Sequence, residues 1–188
     1  LTGSQEVVLK EIFADLQSDQ RMLRLLQGDV GSGKTIIALL SMLHAVESGT
    51  QAVLMAPTEI LARQHAETIM PLCDALNIRV ELLTGRDKGS KREEKLAGFR
   101  QGDTHIAIGT HALFQEDVIF DNLGVVVVDE QHRFGVHQRM RLSAKGHGTD
   151  VLVMTATPIP RTLTLAAYGD MDVSRLTEKP VGRQPIET

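Results

Sequence analysis

The chain has 188 residues, 42% of them hydrophobic, and a mean hydropathy of −0.06, a size and composition that suit one domain with a substantial core. No apolar run approaches the ~20 residues of a membrane span, no signal-peptide pattern opens the chain, and the single cysteine, Cys73, excludes an internal disulfide. A net charge of −4 excludes holding nucleic acid by bulk charge, and one Tyr with no Trp argues against a stacking platform for single-stranded bases.

Thr2 or Ser4 is a candidate N-cap for an amphipathic helix whose apolar positions are Val7, Val8, Ile12, Phe13 and Leu16. Gln5 falls in its first turn, where position alone does not separate an exposed glutamine from a ligand. The apolar run Met22 to Leu26 predicts a strand, and Gly33 to Val46, apolar almost all round, predicts a helix buried against a sheet. Between them Gly28-Asp29-Val30-Gly31-Ser32-Gly33-Lys34-Thr35 fits the G-x-x-x-x-G-K-[ST] spacing in full. Glycines at 28, 31 and 33 permit positive φ and close approach of an anion, and the loop N–H groups and helix N-terminus point at phosphates. Lys34 would reach the β/γ-phosphates of a nucleotide, and the Thr35 hydroxyl would ligate Mg²⁺. A glycine-rich turn that merely precedes a lysine is the competing reading.

Gln51 to Ala56 predicts a second buried strand, and Thr58 caps a helix running from Glu59 to about Leu76. Arg79 to Leu83 is a third strand, ending in Thr84-Gly85. The mixed charges from Arg86 to Lys95 are expected to form a solvated helix face. His105 to Gly109 is a fourth strand, leading through Thr110-His111 into a short helix. Leu123 to Val128, β-branched without polar alternation, marks a strand covered on both faces and ends in Asp129-Glu130-Gln131-His132. Arg133, Arg139, Arg141 and Lys145 then accumulate with no acidic residue up to Thr149. Val151 to Met154 is a sixth strand, ending in Thr155-Ala156-Thr157-Pro158. Arg161 to Tyr168 is expected to be helical, and Asp172 to Leu176 precede a Pro/Gly-containing exit.

This alternation predicts an α/β fold, a doubly wound, mostly parallel sheet with helices on both faces. Ligands of such sheets sit at the carboxyl ends of the strands, where every polar cluster named above falls. Asp129, at a strand end, can hold Mg²⁺ through water, and Glu130 can polarise the water that attacks the γ-phosphorus. With Lys34 they form the expected catalytic set. His44, His65, His105, His137 and His147 lack metal-ligand spacing and are expected on surfaces or helix faces. Cys73 is expected to pack on a helix face.

Asp-Glu-x-His at Asp129, Thr-Ala-Thr at Thr155 and Ala-Pro-Thr-Glu at Ala56 resemble the motifs of superfamily 2 helicases and translocases, whose P-loop NTPase lobes are RecA-like. More narrowly, the loop Gly28 to Thr35, Asp129 to Gly135, and Met154-Thr155-Ala156-Thr157-Pro158-Ile159-Pro160-Arg161-Thr162-Leu163 resemble the bacterial RecG family of branched-DNA helicases. Tyr168 to Ser174 and Gly182 to Ile186 extend the likeness over essentially the whole chain. Transcription-repair coupling translocases share the Pro-Ile-Pro-Arg-Thr-Leu element, but usually carry Glu where this chain has Gln131 and Phe where it has Ser32.

The resemblance implies an ATP-binding motor domain over residues 1–176, with 177–188 beginning a linker to a second lobe absent from this chain. It makes Gln5 an adenine ligand and assigns Pro57, Thr58, Thr84, Gly85, Thr110 and His111 to the backbone of branched DNA, where helix N-termini and small hydroxyls bind phosphates without reading bases. His132, Thr155, Thr157 and Arg161 would couple nucleotide state to DNA and to the second lobe; the competing readings are that His132 caps a loop, that Thr155 is satisfied by its own strand and that Arg161 serves a structural ion pair. It also implies an N-terminal wedge in the parent protein and a bacterial cytoplasmic location. A P-loop kinase or a non-catalytic nucleotide-gated interaction module remains an alternative.

Overall fold

Side chains alternate faces along a strand, and here the two sets fill two separate cores. Ala52 and Leu54, Ile106 and Ile108, Val125 and Val127, and Leu152 and Met154 point to one face. Val53 and Met55, Ala107, Val126 and Val128, and Val151 and Val153 point to the other. A computed structural model describes residues 1–129, 148–158, 160, 162 and 171–181. The strands are β1 (Leu23–Gly28), β2 (Gln51–Met55), β3 (Val80–Leu83), β4 (Ile106–Gly109), β5 (Leu123–Asp129), β6 (Asp150–Thr155) and β7 (Asp172–Leu176). They form one sheet in the order β3-β4-β2-β5-β6-β1-β7, and every neighbouring pair is parallel.

Helices α1 (Gly3–Leu16), α2 (Lys34–Glu47) and α3 (Glu59–Asp74) pack on the first face through Val8, Ile12, Ile37, Met42, Ala66 and Ile69. The other face is covered by α4 (Gly89–Gln101) and a 3₁₀ turn, His111–Phe114. Helices on both faces explain the unbroken burial of β2, β4 and most of β5. Thr2, rather than Ser4, caps α1: its hydroxyl accepts from the Gln5 N–H, and Gln5 Oε1 accepts from the Thr2 N–H. Cys73 is fully buried on α3, and burial pushes its thiol up from the ordinary value.

The run Asp172 to Leu176, not assigned a strand from sequence, forms the edge strand β7 beside β1. Its polarity has a partner. Arg24 on β1 is nearly buried and donates to Asp15 on α1 (2.8 Å) and to Ser174 on β7 (2.9 Å), while Ser174 donates to Glu11. A buried guanidinium is tolerated only when paired in this way. The helix expected at 161–168 lies outside the described residues.

Candidate nucleotide site and DNA-contact edge

The sheet order divides the carboxyl edge into two neighbouring halves. Strands β3, β4 and β2 end in Thr84-Gly85, Thr110-His111 and Pro57-Thr58, whereas β5, β6 and β1 end in Asp129, Thr155 and Gly28. The expected DNA residues and the expected nucleotide residues are therefore each contiguous in space, and they meet between β2 and β5.

At the nucleotide half, the loop from 28 to 35 turns from β1 into α2. Gly31 and Gly33 have φ of 82° and 92°, as a cradle for an anion requires. Gly28 departs from the expectation: it ends β1 without a positive φ, and its missing side chain makes room for the Ser32 hydroxyl. Ser32 is 1% exposed, and among the described residues its Oγ has no hydrogen-bond partner. Lys34 Nζ donates to the carbonyls of Gly28 (2.6 Å) and Asp29 (3.0 Å), which holds the ammonium within the loop.

Gln5 is only 2% exposed, which its sequence position alone did not reveal. Its Nε2 donates to the Ser32 carbonyl (2.9 Å), so α1 clamps the phosphate loop from outside. An amide retains a second N–H and a second lone pair, so this clamp does not exhaust what Gln5 can bind. A cavity of about 600 Å³ opens beside it, lined by Gln5, Val30, Gly31, Gly33, Lys34 and Thr35, with Asp129 and the α3 residues Thr68, Ile69 and Leu72 opposite. Thr35 and Asp129 thus face one space with a hydroxyl and a carboxylate, the hard oxygen donors that suit Mg²⁺ beside phosphates.

Asp129 is 8% exposed and is not alone. The Nε2–H of His65, on α3, donates to its Oδ2 at 2.5 Å, the tautomer following from the carboxylate opposite. Sequence reasoning placed His65 on an ordinary helix face. The other described histidines on which it made that judgement do sit so: His44 stacks on Phe13 at 4.5 Å, and His105 accepts from the Arg79 N–H.

On the other half, Thr58 caps α3, its hydroxyl accepting from the Leu61 N–H (3.2 Å), and both Pro57 and Thr58 are exposed. Thr84 is buried and accepts from the Arg86 N–H, so Gly85 and Arg86 form the outer surface of that turn. Asp87 accepts from the Thr84 N–H and from Lys95, closing the turn. Burial alone would raise the Asp87 carboxyl, but these two donors hold it below its ordinary value. His111 is exposed just after Thr110. At the end of β6 the Thr155 hydroxyl accepts from the Thr157 N–H (3.1 Å), while Gln27, one residue before the phosphate loop, donates to the Thr157 carbonyl and accepts from Arg175. Glu130, His132, Arg161 and the basic segment Arg133 to Lys145 lie outside the described residues. Among the described residues no group of acids, histidines or cysteines forms a metal cluster, and no helix is long and apolar enough to cross a membrane.

Residues 3–165 match the DEAD/DEAH box helicase family. The ATP-dependent DNA helicase RecG of Bacillus subtilis (strain 168) is 53% identical over 188 residues, 100% of this chain and 28% of that protein. RecG of Streptococcus pneumoniae serotype 4 is 54% identical over the same coverage. A solved structure of RecG bound to a three-way DNA junction has a TM-score of 0.83 and 45% identity, covering 98% of this chain and 25% of that one. The chain therefore spans little more than a quarter of these RecG sequences. With its phosphate loop, Asp129 and threonine-tipped strand ends ranged along one sheet edge, the chain belongs to the DEAD/DEAH box helicase family, where its kinship is with the RecG helicases.

Proposed function

We propose that this chain is the ATP-binding motor lobe of a DNA helicase that couples ATP hydrolysis to unwinding and branch migration of forked or Holliday-junction DNA in recombination and fork repair. The observation that carries it is the divided carboxyl edge, with one cavity shared by the phosphate loop, Thr35 and Asp129, and exposed helix starts at the adjoining strand ends. Gly28 to Thr35 would wrap the phosphates in backbone N–H groups, and Lys34 would exchange its carbonyl partners for phosphate oxygens. Thr35 and, through water, Asp129 would hold Mg²⁺, which when bound neutralises charge on the β- and γ-phosphates. Glu130 would orient the attacking water and accept its proton. Gln5 would read adenine while keeping its hold on Ser32.

Pro57, Thr58, Gly85, Thr110 and His111 would meet the DNA backbone, whereas Thr84, expected from sequence to do the same, is buried beneath its turn and would only support it. His132, Thr155, Thr157 and Arg161 would relay nucleotide state to the DNA and the second lobe. Such motors place ATP between two lobes and draw transition-state arginines from the second, so residues 1–176 alone would bind nucleotide but hydrolyse it poorly. Residues 177–188 would lead into that lobe, and a wedge domain of the same bacterial cytoplasmic protein would complete the motor. Whole-chain identity to RecG disfavours a transcription-repair translocase. Glu130→Gln in the longer protein should abolish fork unwinding while nucleotide binding persists. Unchanged unwinding would refute the motor and leave a nucleotide-gated module.

A further inference from the structure

One helix joins the two halves of the edge. The N-cap of α3, Thr58, stands at the DNA half, and Glu59 in its first turn pairs with Arg63 (2.9 Å) and with Arg86 of the Thr84-Gly85 turn (3.0 Å). Farther along, His65, Thr68, Ile69 and Leu72 follow the i, i+3, i+4, i+7 spacing that brings residues onto one helical stripe. Thr68, Ile69 and Leu72 line the nucleotide cavity, and His65, at the N-terminal end of that stripe, meets Asp129. The helix itself is held to the sheet by Ala62, Ala66, Ile69 and Cys73, so the imidazole comes from a fixed support.

A carboxylate that holds a metal through water must keep one orientation, and such groups are commonly fixed by a further hydrogen bond. At the end of β5 the backbone places Asp129 but leaves its side-chain torsions free to turn. The bond to Oδ2 removes that freedom and leaves Oδ1 for the metal's water shell. We propose that His65 is a positioning residue for Asp129, setting the orientation in which the carboxylate serves the Mg²⁺–nucleotide complex. This rests on the motor-lobe reading, since it takes Asp129 as the metal-holding group.

The test is binding of a fluorescent ADP to the longer protein as Mg²⁺ is titrated, for the wild type, His65→Leu and His65→Gln. Leu fills the volume without a donor, whereas Gln keeps an N–H at a similar reach. His65→Leu should raise the half-saturating Mg²⁺ concentration about ten-fold or more, as loss of such a supporting bond typically does, and His65→Gln should restore most of it. A role in packing alone predicts the opposite order, with Leu tolerated. If His65→Leu does not fold, His65→Ala is read against His65→Gln in the same way. An unchanged Mg²⁺ midpoint in the donor-free variant would overturn the positioning role while the wild type still binds ADP with Mg²⁺ and Lys34 dependence. Wild-type binding that is indifferent to both Mg²⁺ and Lys34→Ala would instead overturn the motor-lobe reading and the role of His65 with it.

Discussion

The clamp between Gln5 and the phosphate loop can be broken without touching Gln5. Gly33 is the N-cap of α2 at φ 92°, and a Cβ there would lie closer than 3.0 Å to Gln5 Nε2. Gly33→Ala therefore carries two costs. A left-handed conformation costs an L-residue ~1–2 kcal/mol, and displacing the Gln5 amide leaves the Ser32 carbonyl without its buried donor, another ~1–3 kcal/mol. The sum, ~2–5 kcal/mol, is a large share of the ~5–15 kcal/mol that holds a domain together. With no Trp in the chain, urea unfolding followed by far-UV circular dichroism is the suitable assay. The decisive comparison is a double-mutant cycle with Gln5→Ala. Once Gln5 is truncated nothing remains to displace, so Gly33→Ala should then cost only its backbone part, ~1–2 kcal/mol. Equal costs in both backgrounds, within ~0.5 kcal/mol, would refute the clamp.

Two further outcomes follow from the same geometry. Gly109→Ala should destabilise by ~1–3 kcal/mol, because its Cβ would run into the Leu83 carbonyl and the Leu113 side chain where β3 and β4 pair; Gly85→Ala, with open space around it, should stay within ~0.5 kcal/mol in the same urea titration, and equal losses would be contrary evidence. Burial pushes the Asp150 carboxyl above its ordinary value, against the Met22 N–H that it accepts at 2.6 Å, with Asp15 adding to the rise and Arg21 opposing it. The folded state then binds more protons than the unfolded between the two pKa values, so this group's contribution to stability falls as pH rises through that window. Asp150→Asn, which keeps an acceptor for Met22, should raise Tm relative to wild type above the window, and the gain should vanish below pH 3.8; a gain that persists in acid would contradict this assignment.

The elements and the phosphate loop were legible because their causes are local. A strand covered on both faces shows as an unbroken β-branched run, as at Val125 to Val128, and a cradle for phosphate needs its glycines and lysine at set intervals along one turn. Thr58 could be read as a cap because the N–H that it satisfies lies three residues away. β7 was harder to read: its Ser174 is buried with two partners that its own run does not announce, Arg24, 150 residues earlier, as donor and Glu11 of α1 as acceptor. The order β3-β4-β2-β5-β6-β1-β7 was not legible at all, since hydrogen bonding between parallel strands leaves no mark on the spacing within either. That order sets β2 beside β5, which carries the start of α3 to the end of β5 and puts His65 against Asp129, 64 residues away in sequence. By itself the sequence marked the candidate phosphate and metal residues, because each motif, the loop from Gly28 to Thr35 and the strand end at Asp129, is written within one short segment. Only the tertiary structure decided which side chains hold those residues in place, because such support comes from helices and strands that meet through folding alone.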